Sequence, residues 1–103
     1  MNTQPILQLD RVIHEKGRLQ IMSLLAASAE LSFTEMREAL KMTDGNLTTH
    51  IRTLQEGGFI SVTKSFHRQR PLTTCALTAA GRKAFSEYID LLEQIVRQAR
   101  DKK

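Results

Sequence analysis

Asn46, Thr48, Thr49 and Arg52, followed by Lys64, His67, Arg68 and Arg70, are the side chains whose types and spacing could do chemistry in this 103-residue chain. That chemistry is hydrogen bonding and ion pairing rather than bond breaking. Asn and Thr both donate and accept over a short reach, and Arg is a forked donor, so the set suits base edges and phosphate oxygens. The first four lie in a stretch where Leu47, Ile51 and Leu54 recur at i, i+4 and i+7, one narrow apolar stripe of a helix. Thr43 is of N-cap type, and Asp44 opens the helix behind it. Thr53 and Gln55 complete a polar side with few of the Glu and Lys that usually solvate a surface helix. An ordinary amphipathic helix has the same outline, so the surroundings must decide between the two readings.

The second four fall within seven residues, from the end of one β-like run to the start of the next. FISVTKSF alternates, with Ile60, Val62, Lys64 and Phe66 on one side and Phe59, Ser61, Thr63 and Ser65 on the other. HRQRP follows, then LTTCAL, in which Thr73, Cys75 and Leu77 alternate with their neighbours. Two strands joined by a basic loop make a hairpin. Its tip would suit phosphate or minor-groove contact, although a charged tip can also serve only to keep a strand edge from pairing with other chains.

Other chemistries lack their residues. His14, His50 and His67 are scattered along a chain with one cysteine, so no metal-ligand spacing is present. Gly81, Arg82 and Lys83 lack the spacing of a phosphate-binding loop, and there is no nucleophile elbow. No enzyme and no cofactor are expected.

Composition frames the same reading. The length predicts one domain over residues 1–103, with a core at about 9–77 and a terminal helix at about 78–100. Hydrophobic residues make up 41%, enough for a folded core, and with no Trp and one Tyr that core must rest on Leu, Ile, Val, Met and Ala. The net charge is +4, which favours a polyanionic partner. Its placement matters more: residues 1–40 hold four Lys or Arg against five Asp or Glu, whereas residues 41–70 hold five against two. The excess begins where the polar helix begins. Cys75 has no partner for an internal disulfide, and MNTQPILQLD is neither apolar nor leader-like, so a cytoplasmic protein with no membrane segment is expected.

The elements that must position these groups can be read in order. DRVIHEKGRLQIMSLLAAS reads as helix in two pieces broken near Gly17, with Asp10 capping the first, and its broad apolar face marks scaffold. Arg18 is expected in a surface ion pair. Ser28 to Leu31 reads as loop. Ser32 and Glu35 then have capping-box spacing, opening a helix whose Phe33, Met36 and Leu40 face inward. Lys41, Met42 and Thr43 leave so short a connection that this helix and the polar one must meet steeply, as in a helix-turn-helix. Gly57 and Gly58 stop the second helix. From Thr78 the last helix carries Phe85, Tyr88, Ile89, Leu92, Ile95, Val96 and Ala99 at alternating three and four spacings, close to a coiled-coil seam. That stripe predicts pairing of two subunits; the alternative is a helix folded back over its own core.

Taken together, LDRVIH, RLQIMSLL, LSFTEMREALKMTDGNLTTHIRTLQEGGFISV and LTAAGRKAF resemble a small winged-helix transcriptional regulator of the MarR-like or ArsR-like type. The resemblance implies a mainly α fold with a small β-hairpin wing (α+β), a winged helix-turn-helix with a long C-terminal dimerisation helix. It also implies a homodimer on double-stranded DNA, a sequence-specific repressor at a roughly palindromic operator. Thr43, Asp44, Asn46, Thr48, Thr49 and Arg52 then become contacts of the recognition helix, and Lys64, His67, Arg68 and Arg70 contacts of the wing. A small-molecule effector is not assigned. Two departures stand out: EKGR replaces the proline often found ahead of the first core helix's arginine, and the paired cysteines of metal-sensing relatives are missing. The competing reading is a winged-helix module for protein interaction, which should show apolar anchors on the recognition helix.

Overall fold

The computed structural model describes residues 8–101. Four helices and three strands follow one another as α1 (Lys16–Ala26), β1 (Leu31–Ser32), α2 (Phe33–Leu40), α3 (Asp44–Glu56), β2 (Ile60–His67), β3 (Arg70–Leu77) and α4 (Ala79–Asp101). The strands form one antiparallel sheet in the order β1-β3-β2. Ile21, Met22 and Leu25 of α1, Met36 of α2, Leu47 and Leu54 of α3 and Cys75 of β3 are buried together, so the three short helices and the base of the sheet close on one core.

Local chemistry explains most boundaries. Ser32 and Glu35 form the capping box in full: the Glu35 amide donates to Ser32 Oγ at 3.1 Å, and the Ser32 amide donates to Glu35 Oε1 at 2.9 Å. The Asn46 amide donates to Thr43 Oγ1 at 3.1 Å, the N-cap of α3. At its other end the Gly58 and Phe59 amides donate to the Gln55 and Leu54 carbonyls, a Schellman closure in which Gly58 takes φ 81°. α2 ends without a glycine. Lys41 adopts φ 55° and the Met42 amide reaches back to the Arg37 carbonyl at 3.3 Å.

Three features differ from the sequence reading. Residues 11–15 are turn, not a first helical piece: Asp10 Oδ1 accepts from the Val12 and Ile13 amides at 2.8 and 3.1 Å, and α1 starts behind Glu15. Gly17 therefore lies inside α1, where the His50 ring fills the space a side chain would take, 2.6 Å from an ideal Cβ. Leu31 belongs to a strand, not a loop, and pairs with Cys75 while Ser32 pairs with Thr74. Two residues are too few to show a strand's alternation, and only the presence of β3 makes them one.

Candidate nucleic-acid interface

α2 and α3 meet across Lys41, Met42 and Thr43. An ion pair holds the corner, with an Arg37 guanidinium nitrogen 2.9 Å from Asp44 Oδ1. Asp44 is thus engaged with α2, which its position among the contact residues had not indicated. Leu47, Ile51 and Leu54 turn into the core, and Asn46, Thr48, Thr49, Arg52 and Gln55 are left exposed. Thr49 Oγ1 donates to the Gly45 carbonyl at 2.9 Å, so its proton is used within the helix, and the side chain offers lone pairs and a methyl group. A thymine methyl is a fitting contact for it.

β2 and β3 run in register from Ile60↔Leu77 to His67↔Arg70. The connection is therefore only Arg68 and Gln69, tighter than a five-residue loop, and both have positive φ (52° and 67°). Consecutive positive φ is the pattern of a type I′ hairpin turn, where Asn and Gly are the unstrained residues. An arginine is held there at some cost. Lys64, His67, Arg68 and Arg70 are all exposed, and no acidic residue occurs anywhere from Ile60 to Leu77.

Between α3 and the hairpin lies a crevice lined by Thr48, Ile51, Arg52 and Gln55 on one wall, Val62, Lys64 and Thr73 on the other, with Phe33 beside them. The structure thus joins two groups of side chains that lie a dozen or more residues apart in the chain. It brings Thr48, Arg52 and Lys64 to one concave surface, while Asn46 and the Arg68–Gln69 tip stand outside it. Gln55 and Thr73 were not among the candidates; Thr73 looks like any strand residue until its register opposite Lys64 is known.

Residues 18–96 match the winged helix DNA-binding domain family. The chain belongs to that family. This winged-helix protein is 35% identical to an uncharacterized protein of Methanocaldococcus jannaschii over 79 residues, 77% of its own length and 86% of that relative's. It is similar to a transcriptional regulator homologue from Pyrococcus horikoshii, with a TM-score of 0.86 and 25% identity over 93% of this chain and 94% of that one. An ArsR family transcriptional regulator shares the fold at a TM-score of 0.57 and 12% identity, over 94% of this chain and 95% of that one. The MarR-like or ArsR-like winged helix read from the sequence is therefore the fold, α3 is the second helix of its helix-turn-helix, and the hairpin is its wing. The chain is a DNA-binding transcriptional regulator, and the family is not one of enzymes.

Other titratable groups of this winged-helix protein have structural work. The Arg18 amide, donating at 2.8 Å, holds the Glu15 carboxyl below the usual carboxylate range, and His50 Nδ1 lies 3.6 Å from the same carboxylate oxygen. His50 is thus a border residue that faces α1. Arg18 Nε donates to the Val12 carbonyl at 2.6 Å and fixes the turn ahead of α1, a stronger tie than its 3.9 Å approach to Glu15. Burial pushes the Cys75 thiol up to about 11, so it stays protonated at neutral pH and inert. Among the described residues no three His, Cys, Asp or Glu converge as a metal site, and no helix is long and apolar enough to cross a membrane.

The terminal helix corrects one expectation. Tyr88 is 2% exposed, its hydroxyl 2.6 Å from His14 Nδ1, so it belongs to the core of its own chain and leaves the expected seam. Phe85, Ile89 and Leu92 also pack partly on that core. The stripe is divided. Its first half covers the domain, and Ile95, Val96 and Ala99 lie beyond it, with Val96 48% exposed.

Proposed function

We propose that the protein is a sequence-specific repressor that binds a roughly palindromic operator as a homodimer and blocks promoter access. The observation that carries this reading is the exposed polar face of α3 standing beside an acid-free basic wing. In it, Asn46, Thr48, Thr49 and Arg52 read base edges in the major groove. Thr43 and Lys64 hold phosphates, and His67, Arg68 and Arg70 engage the backbone and the adjacent minor groove. The protein-interaction reading needs apolar anchors on the exposed face of α3, and Asn, Thr, Arg and Gln are what stand there.

Selection of bound sequences from a random duplex pool tests the proposal. Related half-sites one helical turn apart, about 10 bp, or a multiple of it are expected. A pool that stays random after selection would refute sequence-specific readout. Asn46→Ala or Thr49→Ala should change preference among selected sites by about 1–3 kcal/mol while leaving non-specific binding nearly unchanged. An equal loss on all duplexes would reduce these residues to phosphate contacts.

The dimer rests on α4 from Ile89 onward, where residues packed partly on the core also show an open side. Ile89, Leu92 and Val96 floor a groove bordered by Glu93, Arg97, Arg100 and Asp101, so apolar surface is flanked by charges of both signs. Two such faces, one inverted on the other, cover the floor and pair opposite charges. The described residues measure 60 × 25 × 20 Å, a long shape that leaves surface free for a second copy. Val96→Asp should shift sedimentation from dimer to monomer at micromolar concentration with an unchanged circular dichroism spectrum. A persistent dimer would place the interface elsewhere.

A further inference from the structure

Phe66 is 76% exposed, and with Val96 it is one of two large hydrophobic residues in the open among the described residues. The groove on α4 accounts for Val96, but nothing in the core or in the polar readout accounts for Phe66. Alternation along β2 puts Ile60, Val62, Lys64 and Phe66 on one face, and exposure rises along it from Ile60 at 2% outward. Val62 and Lys64 line the crevice shared with α3, so Phe66 continues that same face past the mouth of the crevice. Across the ladder it is paired with Pro71, and the pairs on either side are Ser65↔Leu72 and His67↔Arg70. An apolar ring pair therefore sits just below a turn that carries Arg68.

We propose that Phe66, backed by Pro71, is an apolar wedge that the wing sets against the minor groove of duplex DNA, touching deoxyribose edges or a base step. The occupant follows from charge: Lys64 shares the ring's face of β2, Arg68 stands in the turn beyond it, His67 and Arg70 lie on the other face of the same hairpin, and no carboxylate lies between Ile60 and Leu77. A surface with that field attracts phosphate, and the backbone brings apolar sugar and base edges to the ring. The wedge adds contact without adding charge. A pyrimidine–purine step, the easiest to unstack, is the step it should favour under the wing. This inference rests on the DNA-reading assignment and adds a residue to it.

The test measures fluorescence anisotropy of the full chain on a duplex of about 30 bp carrying the selected operator, across a salt series. Phe66→Ala should raise Kd about ten-fold and leave the slope of log K against log salt unchanged, because no ion pair is lost. Phe66→Leu should recover most of the affinity. With 2-aminopurine placed at the step under the wing, its fluorescence should rise on binding the native protein and rise less with Phe66→Ala. Equal melting curves for the variants, expected of so exposed a ring, separate contact from folding. Undiminished affinity in Phe66→Ala, with native binding intact, overturns the wedge and leaves the DNA reading standing. If Phe66→Ala instead changes the sedimentation of the free protein and not its DNA affinity, the ring belongs to an interface between copies and the wedge is overturned. Failure of the native chain to bind any duplex removes both.

Discussion

Gly81→Ala is expected to destabilise the protein by about 3–5 kcal/mol, a large part of the roughly 5–15 kcal/mol available to a domain of this size. An ideal Cβ at Gly81 would fall 1.9 Å from the Phe59 carbonyl oxygen and 2.7 Å from its carbon. Neither side can yield cheaply. The Phe59 amide is held by the Leu54 carbonyl in the Schellman closure, and its carbonyl accepts from the Thr78 amide at 3.0 Å. Thr78 Oγ1 donates to the Gly58 carbonyl at 2.6 Å and accepts from the Gly81 amide at 2.9 Å. The start of α4 is thus tied to the end of α3 by backbone, and a methyl group must push two helices apart. Urea denaturation followed by circular dichroism measures the loss. Gly45→Ala is the control, since a Cβ there meets open space, and it should be neutral or gain up to about 1 kcal/mol from helix propensity. A cost below 1 kcal/mol at Gly81 would show that the α3–α4 junction can rearrange.

Reversing two charges on the wing, Arg68→Glu with Arg70→Glu, should weaken operator binding at about 0.15 M salt by 100-fold or more. It should also make the salt slope shallower by about two per protomer. Both side chains are exposed and make no ion pair among the described residues, so the fold should not notice their loss. The turn sharpens the interpretation. Arg68 and Gln69 hold positive φ at roughly 1 kcal/mol each, so Arg68→Asn with Gln69→Gly should stabilise the hairpin while still weakening DNA binding. Stability and affinity moving in opposite directions is a result that a purely structural arginine could not give. Unchanged operator binding in the charge-reversed protein would mean that the hairpin does not touch DNA.

Much of the interface was legible before the fold was known, and the legible parts share a cause. Ser32 with Glu35, Thr43 with Asn46, and Gly58 with Gln55 act over three residues, so their types and spacing in the chain are already the interaction. The inward stripe Leu47, Ile51 and Leu54 follows from helical period alone, and it leaves Asn46, Thr48, Thr49 and Arg52 outside by elimination. Tyr88 shows where period stops being sufficient. It fits a seam of threes and fours as well as Ile89 or Leu92 does, yet only one face of α4 can lie on the core. Which residues that face contains depends on how α4 crosses the domain, which Gly81 sets by its approach to Phe59.

By itself the sequence determined the two helices of the helix-turn-helix with their caps, the hairpin and the clustering of cations near a polar helix, because each arises from neighbours a few residues apart. Tertiary structure alone decided the rest. It paired Leu31 with Cys75, set Arg37 against Asp44 and His14 against Tyr88, and opened a crevice where Lys64 and Thr73 face Thr48 and Arg52. It also left Phe66 standing in solvent beside those cations. Apart from Arg37 and Asp44, which meet across the corner between α2 and α3, these contacts join residues far apart in the chain, whose separation and direction are fixed only when the core closes, so no local period or propensity encodes them.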